Sequence, residues 1–317
     1  MKKFVCLLVG IVFVMTMGFA GESAAVKIGI ASVTFTSPYA SAMVKEYNRY
    51  CKEKGYELVM LDSQLDIQKE AQNIDALMAQ KVDIIIVVAT DSEGSKAAIK
   101  KAIDAGFKVM CSNATINDPQ KIGIRAYTGP NYYSQAVVAA KEAIKLKKNA
   151  KAVMITGTPG YSAAEDRKNG FLDTIKKEAP EFKMLDIQTG DWKREDTQRV
   201  MSDFITKYGD QIELVYTHDD NMTVGAINAL KAAGYTAGKR PFVASIGGMA
   251  DGLPAVKEGW IDFTCQQSPI LDSQLSINTA VDIINGKQAE AYKEYFMDTP
   301  VIDKSNVQKV IDMHLWD

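Results

Sequence analysis

The sequence predicts an α/β protein made of two doubly wound, Rossmann-like lobes. Three observations carry that reading. Segments rich in β-branched residues alternate with segments of helical spacing along nearly the whole chain. Residues 83–89, Asp-Ile-Ile-Ile-Val-Val-Ala, are apolar almost throughout, as suits a parallel strand covered on both faces. The alternation runs to about residue 128 and then restarts, so a chain of 317 residues supplies two similar sets.

The first set opens with a β-rich run at 26–33 and a helix at 38–54, where Met43, Tyr47 and Tyr50 recur at helical spacing. A strand at 56–61 and a helix at 67–80 follow, the helix carrying Ile74, Leu77 and Met78 on one face. Strand 83–89, helix 95–105 and strand 108–111 continue the series, and right-handed crossovers are the rule for such units. After a run at 122–128 the second set begins with helix 132–148 and strand 152–156. Helix 162–178, strand 184–188, helix 194–208, strand 212–217, helix 222–233 and strand 242–246 extend it. One more strand, 260–265, and one more helix, 269–285, end the pattern. There is no strong internal sequence repeat and no Pro/Ser-rich linker, so short crossovers are expected to join the lobes.

The N-terminus predicts export. Lys2 and Lys3 precede an apolar run from Phe4 to Phe19, and Gly18-Phe19-Ala20 supplies the small-x-small pattern of a cleavage site. Residues 1–20 are therefore read as a signal peptide, with a soluble mature chain from about Gly21 in the periplasm. A retained anchor is the alternative, although the run is short for a span. Cys6 lies inside the apolar run, which argues against a lipidated N-terminal cysteine. Losing Lys2 and Lys3 takes the formal net charge from −2 to −4. A mildly acidic chain without a basic block has no electrostatic footprint for nucleic acid. Cys51, Cys111 and Cys265 are too few and too scattered for a disulfide framework, and Cys111 and Cys265 read as buried thiols.

Catalytic chemistry is hard to find. His218 and His314 are the only histidines, and no His, Cys or carboxylate cluster has metal-ligand spacing. There is no P-loop, no dinucleotide glycine fingerprint and no nucleophile elbow. Gly157-Thr158-Pro159-Gly160 follows a strand but lacks the Lys-Ser/Thr that completes a phosphate cradle. The adjacent His218 and Asp219 imply no nucleophile. The reading is a binding protein, with no enzyme activity, no metal and no cofactor expected.

Several stretches carry a resemblance: Gly55-Tyr56-Glu57-Leu58-Val59 with Asp62-Ser63-Gln64, and Val87-Val88-Ala89-Thr90-Asp91-Ser92. Others are Ser162-Ala163-Ala164 with Arg167 and Gly170-Phe171, and His218-Asp219-Asp220-Asn221-Met222 with Gly225-Ala226. With the tail Thr299-Pro300-Val301-Ile302-Asp303, these make the chain resemble the type I periplasmic sugar-binding proteins, the ribose- and galactose-binding group. The resemblance implies that group's fold, two lobes joined by three crossover hinges near Thr128, Gln267 and Glu294. It places 21–128 with 268–294 in the N-terminal lobe, and 129–267 with 295–317 in the C-terminal lobe. It implies a monomeric solute-binding protein of an ABC importer. Such a protein closes on a small sugar or polyol and presents it to the permease.

Ligands of open α/β sheets sit beyond the carboxyl ends of the strands. Sugars there need flat aromatic faces for their C–H groups and donors and acceptors for their hydroxyls. By the resemblance, Tyr39 is a stacking aromatic, with Phe35 as an alternative face, and Ser37 is a hydroxyl contact. Ser37 and Pro38 also read as helix cap and first helical residue. Asn113 matches an amide contact, Thr158 a loop contact, Arg167 the forked guanidinium and Trp192 the opposing aromatic wall. Asp219 matches an acceptor that doubles as an N-cap, Asp220 is read as structural, and Gln267 matches a hinge-side amide.

Two departures matter. Ala114 stands where these relatives usually carry a basic residue, and Ile246-Gly247-Gly248 stands where they commonly place a pocket Asp. Both argue against ribose, glucose or galactose recognition as those relatives perform it. A different pentose or hexose, a polyol, or a sugar-like signal such as autoinducer-2 remains open. Rival readings are delivery to a chemoreceptor or sensor kinase, an amino-acid binder, and a transcription regulator of the same fold. The last would need an N-terminal helix-turn-helix where this chain carries the export signal.

Overall fold

The computed structural model describes residues 25–288, 291–314 and 316, so the expected signal peptide and Cys6 lie outside the described residues. Two six-stranded sheets form the two lobes. The first contains β1 (Lys27–Ser32), β2 (Glu57–Asp62), β3 (Ile84–Val87), β4 (Val109–Ser112), β5 (Ala126–Pro130) and β11 (Lys293–Met297). Its strands lie in the order β11-β5-β4-β3-β1-β2, every neighbouring pair parallel. The second contains β6 (Lys151–Thr156), β7 (Lys183–Thr189), β8 (Leu214–Thr217), β9 (Phe242–Gly247), β10 (Phe263–Gln266) and β12 (Val301–Asp303). Its order is β12-β10-β9-β8-β6-β7, parallel except for the antiparallel β12 edge.

Each sheet is covered on both faces, which is why its central strands are apolar on both sides. In the first lobe α1 (Pro38–Lys54) and α10 (Pro269–Ile284) cover one face, where Met43, Tyr47 and Ile277 meet Ile28, Ile84 and Met110. On the other, α2 (Ile67–Ala79) and α3 (Lys96–Asp104) bury Ile74, Leu77 and Ile99 against Ile85 and Val87. In the second lobe α5 (Tyr132–Leu146) and α6 (Ser162–Glu178) cover one face. There Phe171 stacks on Tyr216 at 4.2 Å between ring centres. Helices α7 (Arg194–Tyr208), α8 (Asp220–Ala232) and α9 (Gly252–Glu258) cover the other. The short α4 (Pro119–Ile122) precedes β5, and α11 (Val307–Ile311) follows β12. Among the described residues, no helix is long and apolar enough to cross a membrane.

Local signals start and end these helices. Ser37 accepts from the Ala40 amide at 3.3 Å with Pro38 opening α1, and Gly55 closes α1 at φ 73°, where glycine pays no steric penalty. Asp66, Asn131 and Ser268 cap α2, α5 and α10 in the same manner. Cys51, Cys111 and Cys265 are all free and buried, and burial pushes each thiol up to about 12.

The chain passes between the sheets three times: after β5, between β10 and α10, and between β11 and β12. The third passage occupies 298–300, later than Glu294, because 293–297 pairs along β5 and stays in the first sheet. These passages bring the carboxyl ends of the two sheets face to face, and the functional cleft lies there.

Candidate functional site

A cavity of about 390 Å³ opens between the lobes. Seven of the eight residues expected from the sequence line it: Ser37, Tyr39, Asn113, Arg167, Trp192, Asp219 and Gln267. Thr158 does not. It sits in the turn before α6, where its carbonyl accepts from the Tyr161 amide at 3.3 Å, and Tyr161 takes the wall position instead. Phe35 is also absent from the lining, whereas Thr34 and Thr36 contribute to it.

On the first lobe, Tyr39 projects from the opening turn of α1 and donates its hydroxyl to Asp272 Oδ2 at 3.0 Å. The ring of Trp316, from the chain's end, meets Tyr39 edge-on at 5.5 Å. Asn113 follows β4 with φ 60°, a left-handed conformation that Asn tolerates better than most residues. Its backbone is pinned by Thr128 and Tyr127, at 2.9 Å and 3.1 Å. Its side-chain nitrogen donates to Asp272 Oδ2 at 2.9 Å.

On the second lobe, Arg167 is buried one and a half turns into α6. It donates to Gln135 Oε1 at 3.0 Å, the His218 carbonyl at 2.7 Å and Gln267 Oε1 at 2.5 Å. Its guanidinium lies 4.8 Å from the Tyr132 ring centre and 5.9 Å from that of Trp192. Among the described residues, no carboxylate comes within ion-pair distance of it. Neutral oxygens therefore hold this cation, and the arginine in turn fixes the orientation of Gln267.

Trp192 is placed by strained backbone: Asp191 and Trp192 are consecutive non-glycine residues with φ 51° and 61°. Asn221 secures the turn by donating to the Trp192 carbonyl at 3.1 Å. The indole packs on Gly157 and meets Tyr161 edge-on at 5.9 Å. Asp219 caps α8, its Oδ1 accepting from the Met222 amide at 2.7 Å, so the capping and lining roles coexist. Burial pushes its carboxyl up to about 7.

Asp220 is structural. It is fully buried and accepts from Ser245, from Thr264 at 2.7 Å and from the Met249 amide at 2.7 Å. It thereby ties the ends of β9 and β10 to the turn after β9, and burial raises its carboxyl to about 6. Above it the wall is Ile246, Gly247 and Met249, apolar where the sequence lacks an expected carboxylate. Ala114 is likewise buried in a small apolar patch with Val33 and Val88, against which Tyr161 packs. His218 lies beneath the cleft with its Nδ1 accepting from the Gly157 amide at 3.2 Å. Burial holds its pKa well below the usual histidine range, so it is neutral. Among the described residues, no group of three or more His, Cys, Asp or Glu is arranged to hold a metal ion.

The lobes touch across the cleft. Tyr161 donates to Asn113 Oδ1 at 3.3 Å, the Ser92 amide to the Gly160 carbonyl at 3.1 Å, and the Thr115 amide to Ser162 Oγ at 3.2 Å. Sequence reasoning missed Tyr132, Tyr161, Met249 and Asp272. The first two sit at helix starts, where an aromatic reads as packing. Asp272 reads as an ordinary first-turn acid.

Comparison with known proteins agrees with this fold. The family model described as a periplasmic binding protein domain matches residues 28–288. A ribose import binding protein of Bacillus subtilis is 27% identical over 271 residues, covering 86% of each chain. A xylitol-binding protein of Mycolicibacterium smegmatis is 29% identical over 302 residues, 92% of this chain and 82% of the relative. Among solved structures, a Caulobacter myo-inositol binding protein bound to myo-inositol superposes with a TM-score of 0.84 at 23% identity. That match covers 92% of this chain and 98% of the other, and it speaks for the fold.

Proposed function

The chain belongs to the periplasmic binding protein domain family, and from that premise we propose that it is an exported solute-binding protein of an ABC importer. Its cargo is a small uncharged sugar or polyol held in the interlobe cleft. The observation that carries this is the mix of groups on the cleft walls. Asp219 and Asn113 Oδ1 can accept, whereas Arg167 and the Gln267 amide nitrogen can donate, on walls that also carry the Tyr39 and Trp192 rings. A hydroxyl both donates and accepts, and the C–H faces of a carbohydrate match the two aromatic walls. The relatives named as binding ribose, xylitol and myo-inositol support the same class.

In this reading residues 1–20 direct export and the mature chain works in the periplasm as a monomer. Ligand contacts from both lobes favour the closed arrangement, with the three passages as hinges, and the permease recognises that form. The apolar wall at Ile246 and Met249 favours a ligand with fewer hydroxyls on that side than ribose or glucose offers to a fully polar pocket.

A thermal-shift screen of the mature chain against pentoses, hexoses, polyols and amino acids tests the proposal. A ligand at 100 times its dissociation constant adds about 2.7 kcal/mol to the folded state. Polyhydroxylated neutral compounds are expected to raise the melting temperature, and Trp192→Ala to abolish the rise. A response to amino acids alone would overturn the assignment.

A further inference from the structure

Asp272 is fully buried, four residues past the Ser268 cap of α10, and among the described residues no cation pairs with it. Its Oδ2 takes both the Tyr39 hydroxyl and the Asn113 side-chain nitrogen, and its Oδ1 has no hydrogen-bond partner. An isolated carboxylate in that position is costly, so its presence there calls for a role. We propose that Asp272 is the positioning residue that decides which end of the Asn113 amide faces the ligand, making residue 113 an acceptor for a hydroxyl donor. The inference rests on reading the cleft as a polyol site.

The argument is one of hydrogen-bond polarity. Asp272 Oδ2 accepts from both Tyr39 and Asn113, so the NH₂ end of the Asn113 amide faces it whether or not Oδ1 carries a proton. The carbonyl end is then turned into the cleft, where the Tyr161 hydroxyl of the opposite lobe donates to it. The left-handed backbone of Asn113, pinned on β5, leaves little freedom to present the amide in any other way. The same carboxylate draws the Tyr39 hydroxyl away, so that Tyr39 offers its ring and not its oxygen. One turn along α10, Ser276 bonds Ser112 at 2.5 Å and Thr128 at 2.7 Å, and Ser112 bonds the Tyr47 hydroxyl at 3.0 Å. This face of α10 thus fixes both the amide and the strand ends that carry it. A ligand hydroxyl that donates to the second lone pair of the Asn113 carbonyl, beside the Tyr161 bond, is favoured, and an analogue lacking that hydroxyl binds more weakly because this lone pair is left unpaired in a desolvated cleft.

The test uses the mature full-length chain, ¹⁵N-labelled, with the Asn113 side-chain amide signal identified by its loss in Asn113→Asp. In the wild type one Asn113 amide proton is expected downfield, displaced by its bond to a carboxylate. The displacement should shrink in Asp272→Asn, which keeps one acceptor, and vanish in Asp272→Leu. An ordinary amide position in the wild type overturns the proposal, whether or not any variant folds. In parallel, calorimetry with D-ribose, xylitol and myo-inositol should show the wild type's tightest ligand weakened about tenfold or more in Asp272→Leu. Unchanged affinity there overturns it as well. If the wild type binds none of the three, the polyol reading of the cleft fails, while the amide signal still decides whether Asp272 orients Asn113.

Discussion

The indole of Trp192 lies flat against Gly157, so close that a methyl group at residue 157 would fall inside the van der Waals surface of the ring, nearest Cζ2. The contact joins the end of β6 to the strained turn after β7, whose Asp191 and Trp192 line the cleft. Glycine at 157 is there for the approach of the ring. Its own φ lies outside the left-handed region, so alanine is free of backbone strain.

Gly157→Ala is therefore expected to push the indole out of position without breaking the lobe. The stability cost should be that of local overpacking, about 1–3 kcal/mol. Affinity for a bound polyol should fall about tenfold or more, as the stacking face moves. Chemical denaturation and calorimetry read the two effects separately. Wild-type affinity would mean that the indole face is not a contact surface.

Gly160 offers a way to separate closure from binding chemistry. It belongs to the second lobe, its carbonyl accepts from the Ser92 amide of the first, and a Cβ there would collide with Asp91 Oδ2 across the cleft. Gly160→Ala should oppose closing while each lobe folds. The φ of 84° adds a local strain cost. Gly55→Ala, at φ 73° with no neighbour within 4 Å, carries that same strain without the obstacle. Small-angle scattering with saturating ligand is expected to show less compaction for the variant at 160 than for the one at 55. Equal compaction would show that the rim contact plays no part in closure.

Much of this was legible in the chain. The switch between strand and helix, and the two-sided apolarity of residues such as Ile84–Val87, report burial directly. The positions just after strands, Asn113 and Asp219 among them, follow from the geometry of any parallel sheet. What stayed hidden depends on long-range pairing. Asp272 meets Asn113 across 159 residues of chain, and nothing local separates it from an acid that merely complements a helix start. Tyr161 took the place expected of Thr158 because the turn after β6 directs the Thr158 carbonyl back to its own loop. Strand β11 went unread because its apolar residues, Tyr295-Phe296-Met297, make too short a run beside the charged Lys293 and Glu294 to mark a strand.

The buried carboxylates set a pH dependence of definite sign. Burial raises Asp272 to about 7, above the usual aspartate value of about 3.9 in an unfolded chain. The folded state therefore holds more protons than the unfolded one across that window. The stabilisation is complete below about pH 4 and is lost as pH rises through about 7. His218, held neutral by burial, pulls the other way through its unfolded value near 6.5, so the whole-protein curve mixes signs. The difference between wild type and Asp272→Asn cancels that contribution. The variant should gain stability relative to wild type between about pH 4 and about 8, by up to a few kcal/mol. Denaturant midpoints across that range measure it, and a constant difference would show that Asp272 does not titrate there.

Arg167 is a different kind of test, since it joins fold to site. Its guanidinium reaches Gln135, the His218 carbonyl and Gln267 at once, three directions that a planar fork serves and a lysine ammonium does not. Arg167→Ala leaves those buried oxygens without their donor and should cost about 2–4 kcal/mol of stability along with ligand binding. Arg167→Lys keeps the charge and can satisfy one acceptor, so part of the stability should return. Binding should not return with it, because the orientation of Gln267 is no longer fixed and the fork is gone. Denaturation and calorimetry on the same two variants separate the roles. Recovery of affinity in step with stability in Arg167→Lys would mean that charge alone suffices and that the geometry of the fork is incidental.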